Sequence, residues 1–170
     1  MDGRQPVIID TSTLINFLAV DRVDLLTENL RYRFIVTEHA REEVVGHYPE
    51  QLASLQAALG SGALEEGPVV AIEELEVFAR LAATKQLGPG ECASIAAALR
   101  RGFALAIDDK LAAKRARAES KELVILNTQQ IIVESIRDGR IDVATADAIK
   151  QVWATQFRFL LKIASFGELL

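Results

Sequence analysis

Val7-Ile8-Ile9-Asp10-Thr11-Ser12 is the stretch that decides the fold of this 170-residue chain. A short β-branched run that ends at an aspartate is typical of a buried strand, and the hydroxyl residues after it can cap a helix. The apolar residues Leu14, Ile15 and Leu18 would lie on the inner face of that helix. A strand that leads directly into a helix indicates an α/β domain.

The same strand-to-helix pattern recurs along the chain. Three further apolar runs end at residues that can start a helix, namely 33–36 before Thr37, 103–107 before Asp108-Asp109, and 123–126 before Asn127. Asn127 with Gln130 resembles a capping box. Because strands alternate with helices, we predict an α/β fold, a three-layer α/β/α domain with a mostly parallel sheet of four to five strands.

The remaining segments complete one predicted domain over residues 1–170. Hydrophobic periodicity predicts helices at about 49–59, 74–86 and 90–101, and two C-terminal helices at about 142–152 and 155–165. A short extended segment is expected at 68–72. The stretch 60–67 resembles a linker, but it is too short to mark a domain boundary.

Composition and charge narrow the class of protein. Half of the residues are apolar and a quarter are charged, which is typical of a globular domain. A single cysteine, Cys92, cannot form an intramolecular disulfide, and no stretch approaches the roughly 20 apolar residues of a membrane span. These features predict a cytoplasmic protein without a membrane segment. The net charge of −5 argues by itself against nucleic-acid binding.

The basic residues are unevenly distributed. Six of the 19 lie within residues 100–118, at positions Arg100, Arg101, Lys110, Lys114, Arg115 and Arg117, against two acidic residues there. They flank the strand that precedes Asp108-Asp109 and could hold a phosphate backbone. A solvated helix face is an equally good interpretation of Lys114 or Arg117 taken singly.

Acidic residues follow the predicted strands. Asp10 and the pair Asp108-Asp109 come directly after buried strands, and Glu91 lies in the first turn of a helix. In a parallel sheet these positions share one edge. Each carboxylate alone is explained by helix capping, but several in one concavity repel one another and require a cation. Oxygen ligands favour magnesium or manganese, which points to phosphodiester hydrolysis.

The chain resembles the PIN-domain nucleases, in particular the group related to the toxins of toxin–antitoxin pairs. Four segments in order carry the resemblance, namely Val7–Ser12 with Leu14-Ile15, Phe34–Thr37 with Glu42-Glu43-Val44, Gly90–Ile95, and Ala104–Asp109. Together they span residues 6 to about 126, and the segment 156–161 resembles the closing helix of that group.

The resemblance implies a divalent-metal endoribonuclease. Its catalytic and metal-binding acids map onto Asp10, Glu43, Glu91 and Asp109, with Glu42 as the competitor of Glu43 and Asp108 as an assisting ligand. Ser12 corresponds to a second-shell or phosphate contact, and Lys110 and Arg101 are further candidates for substrate contact. The expected cofactor is Mg²⁺ or Mn²⁺, and the expected partners are RNA, an antitoxin protein and a second copy of the chain.

Two other hypotheses remain beside the nuclease. A PIN fold without activity would be a binding module for nucleic acid or protein, although the four acid positions argue against it. A haloacid-type phosphatase requires an aspartate two residues after Asp10, where Ser12 stands. His39 and His47 lack metal-ligand spacing and are interpreted as surface residues, while Cys92 is expected in the core.

Overall fold

The computed structural model describes residues 3–170, which form five strands and nine α-helices. The strands are β1 (Gln5–Ile9), β2 (Tyr32–Val36), β3 (Glu65–Glu66), β4 (Ala104–Ala106) and β5 (Ile125–Leu126). The helices are α1 (Thr11–Ala19), α2 (Asp24–Thr27), α3 (Glu38–His47), α4 (Leu52–Gly60), α5 (Ile72–Ala83), α6 (Pro89–Arg101), α7 (Lys110–Glu119), α8 (Thr128–Arg137) and α9 (Val143–Gln156). A 3₁₀ helix spans Phe166–Leu169.

The strands form one sheet in the order β3-β2-β1-β4-β5, and every pairing is parallel. β1 lies at the centre, with Val7 opposite Phe34 of β2 and Ala104 of β4. Its residues Val7, Ile8 and Ile9 are fully buried, as expected of a strand covered on both faces. The predicted parallel α/β sheet is therefore confirmed.

Helices cover both faces of the sheet. Val7 and Ile9 point into one core, which α1, α3, α4, α8 and α9 cover. Ile8 points into the other core, which α5, α6 and α7 cover. This alternation along β1 follows from the two-residue period of a strand, and it produces the three predicted layers.

The carboxyl ends of the strands share one edge of the sheet, and polar caps start the helices there. The side chains of Asp10, Thr37, Asp109 and Asn127 accept backbone N–H groups at the starts of α1, α3, α7 and α8. The capping box of Asn127 and Gln130 is present as predicted. Thr11 or Ser12 was the expected cap of α1, but Asp10 is the cap, because its carboxylate reaches the N–H of Ser12.

The segment between α4 and α5 differs from its prediction. The third strand is Glu65–Glu66, within the stretch interpreted as a linker, and not 68–72. Its strand geometry comes from pairing with Ile35 and Val36 of β2, because two glutamates carry no apolar signal. The neighbouring helices also shift: α4 begins at Leu52 after Pro49, and α5 begins at Ile72 before the expected Glu74.

The predicted helix at 155–165 is wrong. α9 continues to Gln156, and Arg158 then adopts a left-handed conformation with φ of 54°, which an α-helix cannot accommodate. Residues 157–165, here named the C-terminal strap, contain no helix. Phe159 packs edge-on against the buried Trp153 at 5.4 Å between ring centroids. Within residues 3–170, every helix is too short or too polar to cross a lipid bilayer.

Candidate active site

A cavity of about 540 Å³ opens at the carboxyl edge of the sheet, between α3 and the start of α6. It is lined by the β1–α1 junction, one side of α3 and the start of α6. Three predicted acids, Asp10, Glu43 and Glu91, face it. Residues that are distant in sequence therefore meet at one site, because the topology places these element ends at one edge.

Asp10 is the most constrained carboxylate of the site. Its side chain is buried, with 2% of the residue exposed. Its Oδ1 accepts a hydrogen bond from the Ser94 hydroxyl at 3.0 Å, and its Oδ2 accepts from the N–H and hydroxyl of Ser12 at 3.2 and 2.9 Å. Burial raises the pKa of Asp10, while these serine donors lower it, and Glu43 raises it further.

Glu43 reaches the cavity from the middle of α3. A Cβ on Gly90 would lie only 2.6 Å from Glu43 Oε2, so the carboxylate packs against the bare backbone at the start of α6. Glu42 is exposed on the same helix and also lines the cavity. Glu43 is the one whose charge acts on Asp10 and Glu91, and this favours it over its neighbour as a ligand.

Glu91 belongs to the first turn of α6. Its Oε2 accepts the N–H of Gly88 at 2.9 Å, which is the return bond of a capping box. Burial raises its pKa first, and the charges of Asp10, Asp109 and Glu43 raise it further. Four acids from four elements therefore share one electrostatic environment.

The two aspartates after β4 have different environments. Asp109 is exposed and caps α7, with Oδ1 accepting the N–H of Ala112 at 2.8 Å. Asp108 turns the other way, and its Oδ2 accepts from the Thr13 hydroxyl at 2.7 Å and from the Thr128 hydroxyl. Burial raises the pKa of Asp108, and these donors lower it. Asp108 therefore ties α1 and α8 to β4 and does not line the cavity.

The three predicted substrate contacts lie in different places. Ser12 lines the cavity and holds Asp10, and its Oγ also accepts the N–H of Asp108 at 3.2 Å. Lys110 is exposed directly after Asp109, outside this cavity. Arg101 is not brought to the site: it lies at the far end of α6 from Glu91 and forms an ion pair with Glu74.

Sequence reasoning missed two histidines. His39 and His47 both line the cavity, because they lie four residues before and after Glu43 and so share its face of α3. The His39 ring packs against Phe78 at a tilt of 40°, with 5.3 Å between ring centroids, and its buried Nδ1 has no hydrogen-bond partner among residues 3–170. The signal that could have identified them was the spacing to Glu43, and not a metal-binding motif.

The donor chemistry of the site fits a hard divalent cation. In the part of the chain that the structure describes, no arginine or lysine forms an ion pair with Asp10, Glu43 or Glu91. The negative charges of these carboxylates repel one another, and a bound cation would offset that repulsion. No three His, Cys, Asp or Glu side chains among residues 3–170 are close enough to enclose an ion by themselves. Binding would therefore rely on fewer carboxylates, with water completing the shell.

Comparison with known proteins places the chain in a family. A family profile described as a PIN domain matches residues 6–165. No curated protein matches the chain. Among solved structures, a PilT N-terminus domain protein, SSO1118, from the hyperthermophilic archaeon Sulfolobus solfataricus P2 is 13% identical with a TM-score of 0.49, covering 77% of this chain and 93% of its own. VapBC2 from Rickettsia felis, bound to a DNA fragment from its promoter, is 12% identical with a TM-score of 0.48, covering 72% and 98%.

The family profile covers most of the chain and contains each of the four acids that share the site. PIN domains are generally nucleases that use divalent metals. The chain belongs to the PIN-domain family.

Proposed function

We propose that the protein is a divalent-metal-dependent endoribonuclease that hydrolyses phosphodiester bonds in RNA. One observation carries the proposal: Asp10, Glu43 and Glu91 face one cavity, and Asp109 is close enough to raise the pKa of Glu91. Without a cation, the carboxylates of this cluster repel one another and destabilise the fold. With a hard metal bound, the cluster can bind a phosphate group through that metal. Membership of a nuclease family supports the same conclusion.

Each residue has a distinct part in the proposed site. Asp10, Glu43, Glu91 and Asp109 would hold Mg²⁺ or Mn²⁺, with no more than two of them bound directly and the others bound through water. The bound metal would polarise the phosphate and lower the pKa of an attacking water. Ser12 and Ser94 fix the orientation of Asp10 through three hydrogen bonds. His39 and His47 stand on the cavity wall, where their N–H groups can donate to phosphate oxygens.

The proposed biological role is that of a toxin paired with an antitoxin protein. The support is the order and spacing of the four sequence motifs, which resemble the toxin-related PIN group. A homodimer belongs to the same proposal. A neighbouring reading frame that encodes a small DNA-binding protein, together with co-purification of the two chains, would test it.

RNA cleavage is the direct test of the nuclease. A labelled RNA is incubated with the purified chain in Mg²⁺, in Mn²⁺ and in chelator, and the Asp10→Asn and Glu91→Gln variants are compared with Glu122→Gln. Glu122 is an exposed carboxylate at the other edge of the sheet, beside Val124 before β5. We expect cleavage only with metal, and loss of at least about 100-fold in the first two variants but not the third. Activity that survives chelator or both site substitutions would contradict the proposal.

A catalytically inactive binding module is the second candidate function. It predicts RNA or protein binding without metal-dependent cleavage. The same assay separates the two candidates, because an inactive module would show equal cleavage in the parent chain and in Asp10→Asn. The presence of all four acids in one environment favours the nuclease.

A further inference from the structure

A second cavity of about 400 Å³ opens at the same edge of the sheet. Its walls are the ends of β4 and β5, one side of α7, the start of α8, and the C-terminal strap. Lys110, on the α7 wall, directly follows the site residue Asp109 in sequence. The cavity therefore begins beside the candidate active site and leads away from it between α7 and the strap. We name it the strap groove.

The strap groove is cationic. Lys110, Arg117 and Lys162 line it and are exposed, and among residues 3–170 none of the three has an ion-pair partner. By contrast, many arginines elsewhere are paired with carboxylates, namely Arg22, Arg31, Arg33, Arg41, Arg80, Arg101, Arg137 and Arg140. Unpaired cations on one wall attract an anion to that wall.

Two elements present these cations in a defined arrangement. Lys110 and Arg117 are seven residues apart on α7, so they lie on one face about 10 Å apart along the helix axis. Lys162 faces them from the strap. The acidic residue of the groove, Asp108, is already occupied by the Thr13 and Thr128 hydroxyls.

The strap is anchored immediately after Lys162. Lys150 of α9 donates to the carbonyl oxygens of Ile163 at 3.1 Å and Ala164 at 2.5 Å. Asp147 accepts from the Ser165 hydroxyl at 2.6 Å and from the N–H of Phe166 at 2.9 Å. The Phe166 ring is fully buried in the core. The fold therefore fixes the backbone next to Lys162, although the strap has no helix.

The groove favours phosphates over bases. Its aromatic residue, Phe159, already packs against Trp153, so it is not a free platform for base stacking. Contacts from lysine and arginine to phosphate position a strand without selecting its sequence. A groove of this kind suits the backbone of a flexible single strand that also enters the neighbouring carboxylate site.

We propose that the strap groove binds the phosphate backbone of the RNA strand whose scissile bond lies at the carboxylate cavity. Lys110, Arg117 and Lys162 are positioning residues in this proposal, and they act on substrate binding. The inference rests on the proposed nuclease function, because the two cavities would hold one continuous strand. It assigns a substrate-binding role to the C-terminal strap.

Equilibrium binding tests the proposal without cleavage. A fluorescein-labelled single-stranded RNA is titrated with the full-length Asp10→Asn chain in chelator, and anisotropy is followed at several salt concentrations. The double variant Arg117→Gln/Lys162→Gln is compared with Lys121→Gln, which removes an exposed charge beside Ser120, at the opposite edge of the sheet. The conservative pair Arg117→Lys/Lys162→Arg checks that charge, and not shape, is what the groove supplies. Circular dichroism and melting curves establish that each variant folds.

The expected result is a change in salt dependence. The slope of log K against log salt is negative, and each lost phosphate contact makes it less steep by about 0.7 for a single strand. The slope of the double variant should therefore be less steep than that of the parent by about 1.4. The ratio of the parent's RNA-binding constant to that of the variant should fall about sevenfold between 50 and 200 mM salt. Lys121→Gln and the conservative pair should keep the parent slope. In the active chain the same double substitution should raise KM and leave kcat unchanged, as expected of uniform binding.

The outcomes separate this proposal from the nuclease proposal. Three results would contradict RNA binding at the strap groove. They are an unchanged slope in the double variant, an equally reduced slope in Lys121→Gln, and no RNA binding by the parent chain. Cleavage that is independent of Asp10 but accompanied by the predicted slope change would overturn the metal site alone. Metal-dependent cleavage with an unchanged slope would overturn the groove alone.

Discussion

The carboxylate of Glu43 packs against the Cα of Gly90, so that a Cβ at residue 90 would lie 2.6 Å from Oε2. This contact joins the middle of α3 to the start of α6. It exists because residue 90 has no side chain, and it is what allows a glutamate six residues beyond the cap Thr37 to reach the cavity. The position of the Glu43 carboxylate in the site therefore depends on Gly90, a residue without a side chain.

Substitution Gly90→Ala should reduce activity without unfolding the protein. The added methyl group meets the end of a flexible side chain, which can move away, and alanine is favoured over glycine in a helix by about 1 kcal/mol. We expect cleavage to fall about tenfold, as for a misplaced catalytic group, while the melting temperature stays equal or rises. Gly60→Ala in α4, where a Cβ meets no atom within 4 Å, is the matched control. A large loss of stability in Gly90→Ala would show that the backbone, and not Glu43, yields to the methyl group.

The metal-free protein should lose stability as pH rises above the ordinary carboxyl range. Burial raises the pKa of Asp10 above 3.8 and that of Glu91 above 4.5, so the folded state binds these protons more tightly than the unfolded state. Their contribution is complete below those ordinary values and is lost as pH rises through the raised ones. Urea unfolding in chelator between pH 4 and 8 measures this loss.

Asp10→Asn tests which group causes that loss. An asparagine can keep its oxygen towards the N–H of Ser12 and donate its amide to the Ser94 hydroxyl, so the local geometry is retained. We expect a flatter dependence of unfolding free energy on pH and higher stability at neutral pH, while Glu122→Gln behaves as the parent. A steeper dependence in Asp10→Asn would contradict the assigned direction of the pKa.

Divalent metal should restore the stability that the carboxylate cluster costs. A ligand that binds only the folded state at 100 times its dissociation constant adds about 2.7 kcal/mol. Thermal unfolding in MgCl₂ or MnCl₂, against KCl of equal ionic strength, measures the effect. It should be larger at pH 8 than at pH 5, because the ligands must be deprotonated, and it should vanish in Asp10→Asn. An equal shift with KCl would indicate screening and no metal site.

Arg101 should contribute to stability and not to RNA binding. It forms an ion pair with Glu74, which is 4% exposed, and it donates to the carbonyl oxygen of Pro68 at 2.7 Å. Arg101→Ala leaves a buried carboxylate without its partner, a change that costs about 3–5 kcal/mol. Glu74→Gln/Arg101→Met should recover much of that loss in urea unfolding. If Arg101→Ala instead weakened RNA binding at unchanged stability, the predicted substrate contact would stand.

Much of the fold was predictable because its central strands are buried on both faces. The runs at 7–9 and 103–107 are continuously apolar, and each is followed directly by an aspartate. β3 was missed because Glu65-Glu66 is a strand only through its partners on β2. The strap was predicted as a helix, in keeping with the resemblance of segment 156–161 to the closing helix of the toxin-related group, but Phe159 packs on Trp153 after the chain turns at Arg158.

The candidate site was predictable to the extent that strand ends specify it. Asp10 follows from the end of β1, and Glu91 follows from the glycine-proline start of α6. The different directions of Asp108 and Asp109 were not predictable, because they depend on the Thr13 and Thr128 hydroxyls, which the fold brings together. The same holds for Lys162, whose place at the groove depends on a tertiary anchor at Asp147.

The two-residue strand β3 has a consequence for how copies of this chain meet. It forms one border of the sheet, where unpaired backbone groups would otherwise template the addition of a foreign strand. Both of its residues are glutamates. Glu65 forms an ion pair with Arg33 of β2, and Glu66 forms one with Arg41 of α3. A short, charged border resists strand addition and amyloid-like growth. Self-association of this chain by strand addition is therefore disfavoured at β3, which is one of the two edges of the sheet.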